Sequence, residues 1–316
     1  MDNALKIGAV SGLVAGLIAG IVGAISTVLV MVAGLPYYYL SKPFEIPITK
    51  ILNIEIILSM VFGIILSIIF MKAYDVIPGK RVTKYIVYGL FCHLIVGIRE
   101  ASFSIIYFGT TVRTLFDNAS WIIIGFPQWI GYALVVGFLY EFLGSKGYID
   151  LTGKKAVTYD MIGGAQLGAI VGMVGGIVAA IFVMIYEYSV GWSLVLPTIQ
   201  DSMIIVNRFG AHAFWHLLYG GIFGAVFARA YGVIPGKGVI KGLFYGYTIF
   251  LISTVHQGAL SLGYGLIQPL GILDPLYDIE LKEIRLIVGW EWIIVDFFVY
   301  AAYGFLIGYL YRKPSE

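Results

Sequence analysis

Eight apolar runs decide most of what this chain can fold into. They lie near residues 6–33, 51–72, 82–107, 121–143, 161–186, 205–229, 239–263 and 287–311. Roughly 20 apolar residues in a helix cross the hydrocarbon core of a bilayer, and each run reaches that length. In lipid every backbone N–H and C=O must be bonded within the protein, which leaves helices and closed barrels. A barrel would show short alternating segments, and the sequence has none. It therefore predicts an all-α polytopic membrane protein with eight transmembrane helices. Charge content agrees: 12% of the 316 residues are charged, about half the share in a soluble domain. The net charge of +2 offers no basic footprint for nucleic acid. The single cysteine, Cys92, excludes an intrachain disulfide. The first run is too long for the apolar core of a signal peptide, so it is read as part of the fold.

The second constraint is a duplication. "AYDVIPGK" (73–80) returns as "AYGVIPGK" (230–237), 157 residues later. "GAVSGLVAGLIAGIVGAI" (8–25) aligns without gaps to "GAQLGAIVGMVGGIVAAI" (164–181), and Gly8, Gly12, Gly16 and Gly20 fall on Gly164, Gly168, Gly172 and Gly176. "REASFSIIY" (99–107) aligns to "HQGALSLGY" (256–264). The fourth and eighth runs match poorly, with Gln128-Trp129 against Glu291-Trp292 as the best pairing. The expectation is two four-span repeats, residues 1–146 and 147–316, joined by a polar linker near 145–158. Four spans return the chain to its starting side. The repeats should then be parallel, about a pseudo-two-fold axis along the membrane normal, with a shared site at their interface. Glycine at every fourth position predicts that the first and fifth runs pack closely on a neighbour. "VIPGK" lacks the G-x-x-x-x-G-K-[ST] frame of a phosphate loop and reads as a turn followed by an interfacial lysine.

Lysine and arginine set the expected sidedness. Lys6, Lys72, Lys80, Arg81, Lys84, Lys146, Lys154, Lys155, Arg229, Lys237, Lys241, Arg312 and Lys313 share one side, thirteen in all. Lys42, Lys50, Arg113, Lys282 and Arg285, five in all, share the other. That places both termini in the cytoplasm and the protein in the cell membrane as a multi-pass chain.

Ionisable groups inside spans are costly and mark functional positions. Glu55, Arg99, Glu100, Arg208, His212, His216, His256, Glu291 and Asp296 are such groups, with Gln128 and Gln257 adding neutral polarity. All fall in the external halves of their runs, while His93 lies near mid-membrane. The expectation is a polar vestibule open to the outside. Arg208, His212 and His216 lie at i, i+4 and i+8, on one helical face; their counterparts in the first half are Ile51, Glu55 and Ser59. The duplicated site has thus diverged into two different sets of side chains. Two arginines against four carboxylates, with histidines to carry protons, favour a cation or protons. Pro127 frees the carbonyl of Ile123 beside Gln128.

His212 and His216 also have a zinc-ligand spacing, which Glu55, His256 or Glu291 would have to complete. There is no H-E-x-x-H, since Ala, Phe and Trp lie between them. No cofactor is predicted, and zinc is the alternative. Three functions follow in order: a transporter or channel-like protein for a small cationic solute or protons, a non-catalytic membrane subunit or assembly factor with partner subunits, and a membrane-embedded metal-dependent hydrolase. The balance leans away from an enzyme. The lipid bilayer is the expected surrounding, and nucleic acid is not an expected partner.

Overall fold

A computed structural model describes residues 3–32, 48–98, 102, 112–146, 160–189, 202–256, 258–259 and 290–311. Among these the chain is all-helical. Eight helices follow in order: α1 (Asn3–Val32), α2 (Ile48–Ala73), α3 (Val82–His93), α4 (Val112–Ser145), α5 (Met161–Ser189), α6 (Ser202–Ala230), α7 (Val239–Phe250) and α8 (Trp290–Leu310). α3 and α7 each continue into a π-helical stretch, Leu94–Ile98 and Leu251–Val255. The helices track the apolar runs. α4 departs most, starting at Val112 rather than near 121. An apolar run marks only the stretch suited to lipid, and the polar turns around Thr114 and Asn118 continue the helix outside it.

Five helices contain stretches long and apolar enough to cross a membrane: Lys6–Leu29, Leu52–Ala73, Gly125–Ser145, Met161–Ala179 and Ile293–Leu310. α3 and α7 are apolar but shorter. Ile57, Phe138, Ile162, Ile240 and Phe298 are all more than half exposed, an apolar exterior suited to lipid.

The helices fall into two compact units. The first holds α1–α4, with α1 packed on α2 and α4, and α3 on α4. The second holds α5–α8 together with Ser102, with α5 packed on α6 and α8, and α7 on α8.

The glycine ladders explain the tightest contacts. A Cβ on Gly12 would lie 2.6 Å from the Cα of Ile64, one on Gly16 2.7 Å from that of Met60, and one on Gly20 2.6 Å from that of Ile56. In the second unit a Cβ on Gly168 would lie 2.6 Å from the Cα of Gly224, and one on Gly172 2.8 Å from that of Gly220. The close packing expected of these ladders is therefore backbone on backbone, the geometry that small residues permit.

The repeated phrase is a helix stop. The amides of Val76 and Ile77 donate to the carbonyl of Ala73 at 2.9 and 3.1 Å; those of Val233 and Ile234 donate to Ala230 at 2.9 and 3.2 Å. Gly79 (φ 99°) and Gly236 (φ 90°) then take the left-handed backbone the turn requires. Lys80 and Lys237 are exposed. Lys84 and Lys241, one turn into the next helix, donate to the carbonyls of Tyr74 and Tyr231 and sit 4.2 and 4.4 Å over their rings.

Buried tyrosines tie the helices together. Tyr88 donates to the carbonyl of Leu66, and Tyr245 to that of Phe223, both at 2.7 Å. Tyr132 donates to Gly63 at 2.6 Å, and Tyr303 to Gly220 at 2.9 Å. Phe70 stacks edge-on with Tyr88 and Tyr140 at 5.0 and 5.8 Å, and Phe227 meets Tyr245 and Tyr311 at 5.2 and 5.5 Å. These bonds carry "GYALVVGFLY" (131–140) onto "AYGFLIGYLY" (302–311). Tyr132 of α4 and Tyr303 of α8, 171 residues apart, thus make bonds of the same kind, whereas the side chains of Glu291 and Trp292, which the sequence pairs with Gln128-Trp129, lie outside the described residues.

Candidate functional site

In the first unit α2 presents Glu55 and Ser59 one turn apart, and α4 brings Gln128 to both. The Gln128 amide donates to the Ser59 hydroxyl at 3.2 Å and reaches the Glu55 carboxylate at 3.5 Å. All three side chains are buried, at 5–6% exposure. Gly23 of α1 makes the room, since a Cβ there would lie 2.7 Å from the Gln128 amide. Pro127 precedes Gln128 inside α4. Three helices thus meet around a buried carboxylate that the Gln128 amide reaches.

His93 closes the regular part of α3, immediately before the π-helical stretch, and is fully buried. Its ring rests on Gly125 of α4, where a Cβ would lie 2.7 Å from Nδ1, and its edge meets Phe126 at 6.1 Å. Neither ring nitrogen has a hydrogen-bond partner.

In the second unit His212 and His216 stack 5.9 Å apart, as their i, i+4 spacing predicts. His216 Nδ1 lies 2.9 Å from the carbonyl oxygen of His212. His212 is 1% exposed and His216 half-buried. Gly176 of α5 leaves space for the pair; a Cβ there would lie 2.8 Å from that of His216. Next to them the Trp215 indole donates to Ser102 Oγ at 3.2 Å, and Ser102 bonds the Tyr219 hydroxyl at 2.8 Å. Asp296 of α8 accepts from the Thr254 hydroxyl at 2.5 Å, and Thr254 lies 3.4 Å from Ser253. His256 is buried.

The predicted set is thus brought together in part. Glu55 meets Gln128, and His212 meets His216. The side chains of Arg208 and Glu291, on α6 and α8, lie outside the described residues, as do Arg99, Glu100 and Gln257 altogether. Glu55, Gln128, His212 and His256 are buried rather than open to solvent. The glycine-led approach of the helices brings polar groups onto one another. Sequence reasoning missed Ser102, Ser253 and Thr254; the run Ser253-Thr254-Val255-His256 was the available signal. It also missed both π-helical stretches, formed by "LIVGI" and "LISTV", which carry no local mark. π-Turns within α-helices often accompany functional positions.

Among the described residues no group of three or more His, Cys, Asp or Glu side chains is placed to hold a metal ion. Among the described residues His212 and His216 stand as a pair. No family model, curated protein or solved structure matches the chain.

Proposed function

We propose that this is a multi-pass protein of the cell membrane, with cytoplasmic termini, that moves a small cationic solute or protons. The observation that carries the reading is Glu55. It is a carboxylate buried inside a stretch apolar enough to span a bilayer, and it is reached by the neutral amide of another helix. An ionisable side chain at such a place is costly and is kept where it binds or relays charge. Asp296, half-buried and bonded to Thr254 inside the last apolar stretch, supplies a second carboxylate. The histidine pair adds groups able to take up protons near neutral pH. The halves are read as parallel copies: helix-ending turns, lysine caps, tyrosine bonds and π-helical stretches recur in each.

The test is flux. Purified protein in liposomes, with a trapped pH dye and ion-sensitive dyes, should pass protons or a small monovalent cation. Glu55→Gln should remove most of that flux while leaving the amount of folded protein unchanged. No flux from the parent chain for protons, sodium, potassium or small ammonium ions would overturn the reading. Stable copurification of other membrane subunits in that case would point to a partner-binding role.

A further inference from the structure

The two π-helical stretches share a backbone form and differ in what they carry. The third and fourth residues of Leu94–Ile98 are Val96 and Gly97; those of Leu251–Val255 are Ser253 and Thr254. Both hydroxyl side chains are buried, Ser253 at 1% exposure and Thr254 at 8%. A π-turn holds more residues than an α-turn, so consecutive side chains diverge less in direction. The oxygens of these two neighbours lie 3.4 Å apart.

Their protons are committed elsewhere. Ser253 donates to the carbonyl of Ile249 at 2.8 Å, and Thr254 to the Asp296 carboxylate at 2.5 Å. A hydroxyl has one proton and two acceptor lone pairs. Both oxygens therefore keep lone pairs, and no proton is left to join them. Asp296 brings a negative charge against the Thr254 oxygen, half-buried within the apolar stretch Ile293–Leu310. The π geometry adds backbone. The His256 amide bonds the carbonyls of Leu251 and Ser253 and passes over Ile252, which would receive it in an α-helix. Carbonyls displaced from the helical ladder are among the oxygens that coordinate sodium in interrupted transmembrane helices.

The spacing and the charge select the ion. Neighbouring ligands of an octahedral ion stand about 1.4 times the metal–oxygen distance apart, so 3.4 Å answers to a bond of about 2.4 Å. Calcium takes oxygen at about 2.3–2.6 Å and magnesium at about 2.0–2.1 Å. Sodium has nearly the radius of calcium and a single charge, which one carboxylate balances, whereas calcium sites draw on several carboxylates.

We propose that Ser253, Thr254 and Asp296 form a sodium site at the π-turn of the second unit, with the Ile252 carbonyl as a further oxygen. The inference rests on the transport reading for what the ion does there and deepens it by naming the ion; binding is measured apart from flux. The test is thermal melting of the intact protein in detergent, titrated with sodium chloride against potassium and choline chloride at matched ionic strength, together with equilibrium binding of radioactive sodium. Sodium alone should raise the melting temperature, and saturably, because it binds the folded state. Thr254→Val, which removes the oxygen and keeps the shape, should weaken sodium binding by about tenfold or more, and Thr254→Ser should retain it. Ser253→Ala makes the same test if the valine variant does not fold. Absence of a sodium-specific shift and of bound sodium in the parent chain would overturn the proposal, as would a sodium response that both Thr254→Val and Ser253→Ala leave intact. Sodium bound through Thr254 in a protein that passes no ion would uphold the site and remove the transport reading alone. Proton flux from a protein that binds no sodium would overturn the site and leave that reading standing.

Discussion

Near the start of α3, Tyr85 lays its ring on Gly137 of α4. At the corresponding place on α7 stands Gly242, and there the backbones of α7 and α8 touch, a Cβ on Gly242 falling 2.7 Å from the Cα of Gly308. Around this difference the two units agree closely. Tyr88 and Tyr245 make the same bond, as do Tyr132 and Tyr303, and Lys84 and Lys241 cap the same carbonyls. Backbone contacts and side-chain chemistry have therefore varied independently. The contacts that fix helix spacing are alike, while the polar groups between them differ: Glu55, Ser59 and Gln128 in one unit, His212, His216, Thr254 and Asp296 in the other. A polar site can change its residues without loss of fold only if the fold rests on something else. Here it rests on the ladders, the turns and the tyrosine bonds.

The ladders give the largest test of that division. Gly16→Val and Gly172→Val should each remove most of the folded protein, by about 3 kcal/mol or more of overpacking, because the new side chains would meet the backbones of α2 and α6. Gly175 is the control. A Cβ there meets nothing within 4 Å, so Gly175→Ala should be neutral or stabilise by up to about 1 kcal/mol through helix propensity. Thermal melting in detergent reads all three. Equal tolerance of Gly16→Val and Gly175→Ala would show that α1 and α2 are not held by backbone approach.

The polar filling should matter less. Gln128→Val puts into α4 the residue that α8 carries at Val299. It takes away the donor to Ser59 and Glu55 and should lower stability by about 1–3 kcal/mol. A melting temperature above that of the parent chain would mean the trio is not a stabilising network at all and is retained for what it binds.

Much of this was legible in the sequence, for identifiable reasons. Glycine at every fourth position has one good physical use in an apolar helix, and it was read correctly as close packing. "VIPGK" was legible as a turn because Pro and Gly restrict backbone angles wherever they occur. That Gln128 reaches Glu55 was not legible, because it lies on another helix 73 residues away and no local pattern encodes which faces meet. The like bonds made by α4 and α8 were not legible either, although "GYALVVGFLY" and "AYGFLIGYLY" stand in the sequence. Tyr132 and Tyr303 matter through hydroxyl bonds to backbone that only the folded chain shows.

The smallest expected effect tests the comparison at a single backbone angle. Arg81 has φ 41° and ψ −118°, and Gly238 at the matching place has φ 48° and ψ −122°. Both immediately precede a helix and follow the Gly-Lys of the repeated turn. A side chain in this region of backbone space is strained, by roughly 1–3 kcal/mol, whereas glycine adopts it freely. The first unit therefore holds a strained arginine where the second has the unstrained residue. Arg81→Gly should raise stability by somewhat less than that strain, on the order of 1 kcal/mol, since glycine also gains freedom in the unfolded chain. Gly238→Arg should lower it by a similar amount, and the two changes together should nearly cancel, because the sites belong to separate units. A destabilised Arg81→Gly variant would mean that the arginine side chain makes an interaction worth more than its strain. The two turns, alike in backbone, would then differ in what they hold in place.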